Sequence, residues 1–270
     1  MLPDQTPELK LLQIQFDILR KEFSELLERK NEMLTYDEPF LTALYLNAIG
    51  QRLHQKYCLG VEIKILYRRI QLMQAYINQN VYPDKKLIEQ KLEKQFSEFQ
   101  QKIAAEAERL AMAKKFMTDT TFLPPHIVKK IKEVYITIVK RLHPDINPEI
   151  TEKEKDLLLQ AQAAYELSNL DALNAILVSL DFNTPAPALN PAGLKERVEN
   201  LKEQVEKLKN HITELNAKFP FSYRDKLADE EWIKAEQQSL DNDIDSLSTE
   251  KNKYTEYLLL MDDWKPQGLK

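Results

Sequence analysis

The chain has 270 residues and only four glycines, and 30% of its residues are charged. Average usage would place glycine near 7%, so tight turns are rare and a glycine-rich loop that cradles nucleotide phosphates is excluded. The net charge of −5 argues against a general nucleic-acid binder. Together these features predict an all-α protein built from long amphipathic helices.

A single cysteine, Cys58, excludes a disulfide-stapled secreted fold. No segment reaches the roughly 18 consecutive apolar residues of a membrane span, and the N-terminus lacks a basic region followed by an apolar run. We therefore expect a cytoplasmic protein without a membrane span.

Heptad patterns run through residues 1–120. Near the start, apolar side chains recur in steps of three and four, at Leu9, Leu12, Phe16, Leu19, Phe23, Leu26 and Met33. The segment 35–39 is predicted to break this helix, and Pro83 to separate a second helix from a third. Short connections predict antiparallel neighbours in a helical coiled-coil region. Gly60, on the stripe of the second helix, either admits a close neighbour or weakens the helix by about 1 kcal/mol.

Residues 194–270 carry two further seams, separated by Pro220. The first comprises Leu194, Val198, Leu201, Val205, Leu208, Ile212, Leu215 and Phe219, and the second Ile233, Leu240, Ile244, Leu247, Tyr254, Leu258 and Met261. They predict an antiparallel hairpin, separable from the rest because residues 183–193 read as a proline-rich linker. Such seams can be satisfied within a chain or between chains, so homo-oligomerisation through them remains an alternative.

Residues 121–182 have a different pattern, with shorter helices. The first of these helices is apolar on one face and basic on the opposite arc. The cations of this arc are Lys129, Lys130, Lys132, Lys140 and Arg141. Five cations in one short stretch of an acidic chain make this arc the strongest candidate for a charged contact surface.

The tripeptide His143, Pro144 and Asp145 ends the basic helix, because a proline disfavours helical geometry in the residue before it. Thr151 and Glu154 then form a capping box that starts a second helix. A basic helix, a His-Pro-Asp loop and a second antiparallel helix are therefore predicted in succession.

This arrangement resembles the J domain of DnaJ-type co-chaperones. The matching text lies at 131–135, 140–147 and 164–168. The resemblance implies a protein that binds a DnaK-type chaperone and stimulates its ATP hydrolysis, with His143, Pro144 and Asp145 as the family's essential loop. It further implies that Asp145 engages an arginine of the partner and that the five cations face an acidic partner surface.

Several departures from the family pattern shape the functional hypothesis. The family's first helix is not recognisable, and residues 112–122 are the candidate for its place. Glu133, Ile136 and Thr137 stand where family members often carry basic residues, and no Gly/Phe-rich region or zinc-binding repeat follows. These absences favour a specialised J protein.

No spacing of histidine, cysteine or carboxylate predicts a metal, a cofactor or a catalytic group. We therefore expect a protein that is not itself an enzyme but a co-chaperone, with its coiled coils binding an unidentified client or partner. The alternative is a structural coiled-coil scaffold with a degenerate J-like spacer. The intact tripeptide favours the first hypothesis and the diluted basic arc favours the second.

Overall fold

The computed structural model describes residues 7–119, 123–181 and 191–266. Its regular elements are all helical, and no strand occurs in these ranges, so the all-α fold class is confirmed. The α-helices are α1 (Pro7–Glu32), α2 (Glu38–Tyr45), α3 (Gln51–Ile77), α4 (Lys85–Asp119), α5 (Pro125–Leu142), α6 (Glu152–Glu166), α7 (Leu170–Asp181), α8 (Pro191–Ala217), α9 (Arg224–Ala228) and α10 (Glu230–Asp262).

The chain divides into two compact units, and each combines an early segment with a late one. The first unit comprises residues 1–39 with 121–222, and the second comprises 40–120 with 223–270. This division differs from the predicted succession of 1–120, 121–182, 183–193 and 194–270. Heptad periodicity locates a seam on a helix, but it does not identify the helix that covers that seam, which explains the difference.

The second unit is built on α3, which packs against α4 and α10. Arg52 and Lys251 form ion pairs across α3 and α10 with Asp241 at 2.8 Å and Glu62 at 2.7 Å. Since the partner numbers rise together along both helices, α10 runs parallel to α3. The predicted antiparallel hairpin of the 194–270 region is therefore corrected: α10 pairs with α3, whereas α8 belongs to the first unit.

The first unit has one apolar core, shared by α1, α5, α6, α7 and α8. α8 lies along α1, where Lys209 forms an ion pair with Glu22 at 2.8 Å. The α8 side chains in this core are Leu194, Val198, Leu201 and Val205, and each is at most 5% exposed. The expectation that α8 is separable from the 121–182 module is therefore wrong. Of the predicted linker, residues 191–193 begin α8, and 183–190 lie outside the described residues.

The predicted helix break at 35–39 is also corrected. Residues 33–37 form a π-helical turn instead, in which the Glu38 N–H donates to the Met33 carbonyl, and α2 follows directly. Pro39 has no N–H to donate, and a widened turn of this kind is a known way to insert an extra residue into a helix. The turn directs Tyr36 towards α6, as described below.

Two glycines of the second unit have opposite surroundings. A Cβ atom built on Gly50 would lie 2.8 Å from Leu110 Cδ2 of α4, whereas one built on Gly60 would meet no atom within 4 Å. A Cβ atom at Gly50 therefore requires the Leu110 side chain to shift, whereas one at Gly60 enters open space. Of the two interpretations of Gly60, the structure supports the weak point in the helix.

Candidate functional site

The candidate site is the loop between α5 and α6, residues 143–151. The two helices run antiparallel, since the rings of Tyr135 in α5 and Tyr165 near the end of α6 lie 4.5 Å apart. Pro125 is the first residue of α5, and the Thr151 hydroxyl accepts the Glu154 N–H at the start of α6 in a complete capping box. The predicted cap is confirmed.

Two residues after the tripeptide hold the loop in one conformation. The Ile146 side chain is fully buried in the core of the first unit. The Asn147 side chain donates to the carbonyls of Lys140 at 3.1 Å and Arg141 at 2.7 Å. These carbonyls belong to the last turn of α5 and have no partner within the helix, so Asn147 closes that end of α5.

His143 is fixed from two sides. Its ring meets the Phe23 ring of α1 edge to face, with centroids 4.7 Å apart, and its Nδ1 accepts the Asp145 N–H at 3.2 Å. Burial lowers the pKa of His143 below its ordinary 6.5; the carboxylate of Asp145 opposes this effect, and the charge of Lys30 adds to it. A neutral imidazole is the form that accepts this hydrogen bond, with the ring proton on Nε2.

Pro144 and Asp145 form the exposed tip of the loop. The Asp145 carboxylate lies 3.8 Å from His143 Nδ1, and its side chain is 38% exposed. The loop therefore presents a carboxylate to solvent from a rigid base, which is the geometry required for a charge-assisted contact with a cation of a partner.

The five predicted cations do not form one uniform surface. Lys129, Lys130 and Arg141 are exposed, and Lys140 is half-buried. Lys129 lies 3.9 Å from Glu133 on the next turn, an exposed pair of small energetic value. Neither Lys130 nor Lys140 makes an ion pair with any residue that the structure describes.

Lys132 differs from the other four cations because α1 holds it. Its Nζ donates to Glu32 and lies 3.9 Å from Glu28, and its side chain is 28% exposed. On the helical wheel Lys132 lies at the edge of the buried face, whereas the remaining cations lie on the far side. Lys132 therefore contributes to the contact between α1 and α5.

A buried polar network surrounds this ion pair. Tyr165 donates to the buried Glu28 at 3.0 Å, and Asn31 donates to the Tyr135 hydroxyl at 2.9 Å. Burial raises the pKa of Tyr135 to about 12, and burial with the charge of Glu28 raises the pKa of Tyr165. Both phenol hydroxyl groups therefore stay protonated and take part in the network as hydrogen-bonding groups.

The end of α6 is tied to the π-helical turn after α1. Ser168 has a φ of 54° and lies within a Schellman motif, in which the Ser168 and Asn169 N–H groups donate to the carbonyls of Tyr165 and Ala164. The Tyr36 hydroxyl donates to the Tyr165 carbonyl at 2.9 Å and lies 2.7 Å from Ser168 Oγ. Ser168 thus occupies a position where glycine is usual, and its side chain forms a hydrogen bond with Tyr36.

α1, about 100 residues upstream, also packs against α5, and its Phe23 contacts the loop. The predicted candidate for a preceding first helix was 112–122; its described part, 112–119, belongs to the second unit, and residues 120–122 lie outside the described residues. That expectation is corrected. The order of the elements along the sequence does not reveal that α1 packs against this module.

No protein-family model matches the chain, and no curated protein or solved structure matches it either. Within the described ranges, no cluster of three or more histidine, cysteine or acidic side chains has the arrangement of a metal site. The described helices include none with the length and apolar content needed to span a bilayer.

Proposed function

We propose that the chain is a J-domain co-chaperone that binds a DnaK-type chaperone and stimulates its ATP hydrolysis. The observation that carries the proposal is the His-Pro-Asp loop between two antiparallel helices, with Asp145 exposed at its tip and His143 fixed at its base. In this proposal the partner hydrolyses ATP, and the chain supplies contacts but no chemistry of its own.

The surface offered to an acidic partner is smaller than the sequence predicts. Lys129, Lys130, Lys140 and Arg141 remain candidates for that surface, whereas Lys132 is engaged by Glu32 of α1. Long-range attraction by cations at the protein surface raises association rates more than it slows dissociation. We therefore assign the four cations to encounter with the partner, and Lys132 to the contact with α1.

The test is steady-state ATP hydrolysis by a DnaK-type chaperone with and without the full chain. His143→Gln or Asp145→Asn is expected to abolish the stimulation, because each removes a loop group that contacts the partner or holds the tip. His126→Gln and Asp156→Asn are matched controls, since they make the same chemical changes at exposed positions of α5 and α6. Stimulation that survives both loop substitutions contradicts the proposal.

A structural scaffold is the second candidate, and one observation favours it. Lys132 is bound within the chain, so it is not available to a partner. The basic arc, which Glu133, Ile136 and Thr137 already interrupt, thereby loses one more cation. In a scaffold, the chain without substitutions leaves the hydrolysis rate of the chaperone unchanged. The same assay therefore separates the two candidates.

The remaining parts of the proposal concern location and clients. The one cysteine, Cys58, is a free thiol, which fits a reducing compartment such as the cytoplasm.

Exposed apolar side chains on the long helices, such as Ile14 and Leu260, offer contact area for a client protein. Self-association through the same side chains is the alternative use of these surfaces.

A further inference from the structure

α1 contributes a side chain to the neighbourhood of the His-Pro-Asp loop, although this helix does not belong to the sequence segment that resembles a J domain. Phe23 is 2% exposed and meets the His143 ring.

The Phe23 contact determines where His143 can lie. An edge-to-face pair with centroids 4.7 Å apart restricts both rings. The same imidazole accepts the Asp145 N–H, so the position of the ring and the direction of the Asp145 backbone are coupled. A displaced imidazole would release the tip of the loop while leaving the helices intact.

We propose that Phe23 of α1 is a positioning residue for the chaperone-binding loop, because it holds the His143 imidazole that accepts the Asp145 N–H. This inference rests on the proposed function. It predicts that recognition of the chaperone depends on a helix encoded far upstream of the loop.

Phe23→Leu tests the positioning role in the full chain, with Phe16→Leu as the matched control. Both phenylalanines are buried in the same core, seven residues apart on α1, so both substitutions remove similar apolar area. Phe23→Leu is expected to raise the concentration for half-maximal stimulation about tenfold relative to Phe16→Leu, which equals about 1.4 kcal/mol. Equal effects of the two substitutions contradict the positioning role.

A second readout is the titration of His143 followed by NMR, which a loss of general stability does not move. Phe23→Leu is expected to shift the pKa of His143 towards 6.5, because the substitution reduces the burial that lowers it. Phe16→Leu is expected to leave it in place. An unchanged titration in Phe23→Leu contradicts the inference.

Absence of stimulation by the unsubstituted chain overturns the proposed function itself, whereas equal effects of Phe23→Leu and Phe16→Leu overturn only the positioning role, so the two failures are distinguishable.

Discussion

Glu28 and Glu32 lie one turn apart on α1 and face the same lysine, yet their pKa values move in opposite directions. Burial raises the pKa of Glu28, and the Tyr165 hydrogen bond and the charge of Lys132 only partly compensate. Burial also acts on Glu32, but hydrogen bonds from Lys132 and Arg29 outweigh it and lower the pKa. The difference follows from the number of cationic donors that reach each carboxylate.

This difference predicts opposite dependences of stability on pH. Because the folded-state pKa of Glu28 lies above its ordinary 4.5, the folded protein binds more protons than the unfolded chain between these values, and stability falls as pH rises through that window. Glu28→Gln has no ionisable carboxyl group at this position, so its stability does not fall for this reason. The unfolding free energy of Glu28→Gln relative to the original chain should therefore increase from pH 4.5 towards neutrality, as measured by urea denaturation.

Glu32→Gln is the matched comparison. The folded-state pKa of Glu32 lies below its ordinary 4.5, so its contribution to stability is present above 4.5 and is lost as pH falls through the folded value. The relative stability of Glu32→Gln should therefore decrease as pH rises through the window below 4.5. A constant difference between either variant and the original chain over its window would contradict the assignment of these ionisations.

At the residue scale, the sequence predicts interactions between side chains that lie close together along the chain. The capping box of Thr151 and Glu154 is visible in the sequence because its partners lie three residues apart. Phe23 and His143 are 120 positions apart, and nothing local connects them. Asn147 was in reach of sequence reasoning, since an asparagine shortly after a helix end is a frequent partner for its last carbonyls.

At the scale of elements, Gly50 and Gly60 form a matched pair. Gly60→Ala should raise the unfolding free energy by about 1 kcal/mol, because alanine is the better helix former and the added methyl group meets no atom within 4 Å. Gly50→Ala should lower it, since the methyl group would lie 2.8 Å from Leu110 and overpacking outweighs the gain in helix propensity.

Chemical denaturation of both variants under the same conditions checks this pair. Similar stabilisation of both would show that α4 moves away from Gly50 without loss. Similar destabilisation would show that Gly60 has a close neighbour, contrary to the structure.

Helix positions could be predicted well from the sequence, because periodicity is a property of each helix alone. Segment 35–39 was the exception. Pro39 is a strong stop signal on propensity, but a π-helical turn at 33–37 absorbs it. Packing of Tyr36 against Tyr165, with ring centroids 5.8 Å apart, holds that turn from outside the helix.

At the scale of the whole molecule, the core shared by α8 and α5–α7 leads to a test on a residue far from the loop. Leu201 of α8 is fully buried in this core, so Leu201→Ala should lower the unfolding free energy by about 2–5 kcal/mol. Leu259→Ala is the control, because Leu259 is 63% exposed and should change stability little. Denaturation followed by circular dichroism measures both.

An unchanged midpoint for Leu201→Ala would contradict the shared core and restore the separable C-terminal hairpin that the sequence favours. The sequence misassigned this pairing because the seam of α8 and that of α10 are equally complete. Each is compatible with the other and with the seams of α1 and α3. Only the folded chain selects among such partners.

The parallel pairing of α3 with α10 has a consequence for synthesis of the chain. Its hydrogen-bonded partners are 187 and 189 residues apart in the sequence, so most of the polypeptide must leave the ribosome before α10 can cover α3. Contacts of such long separation slow folding, and an uncovered apolar seam is prone to aggregate while it waits. During translation, the α10-facing side of α3 therefore stays uncovered until α10 has been synthesised.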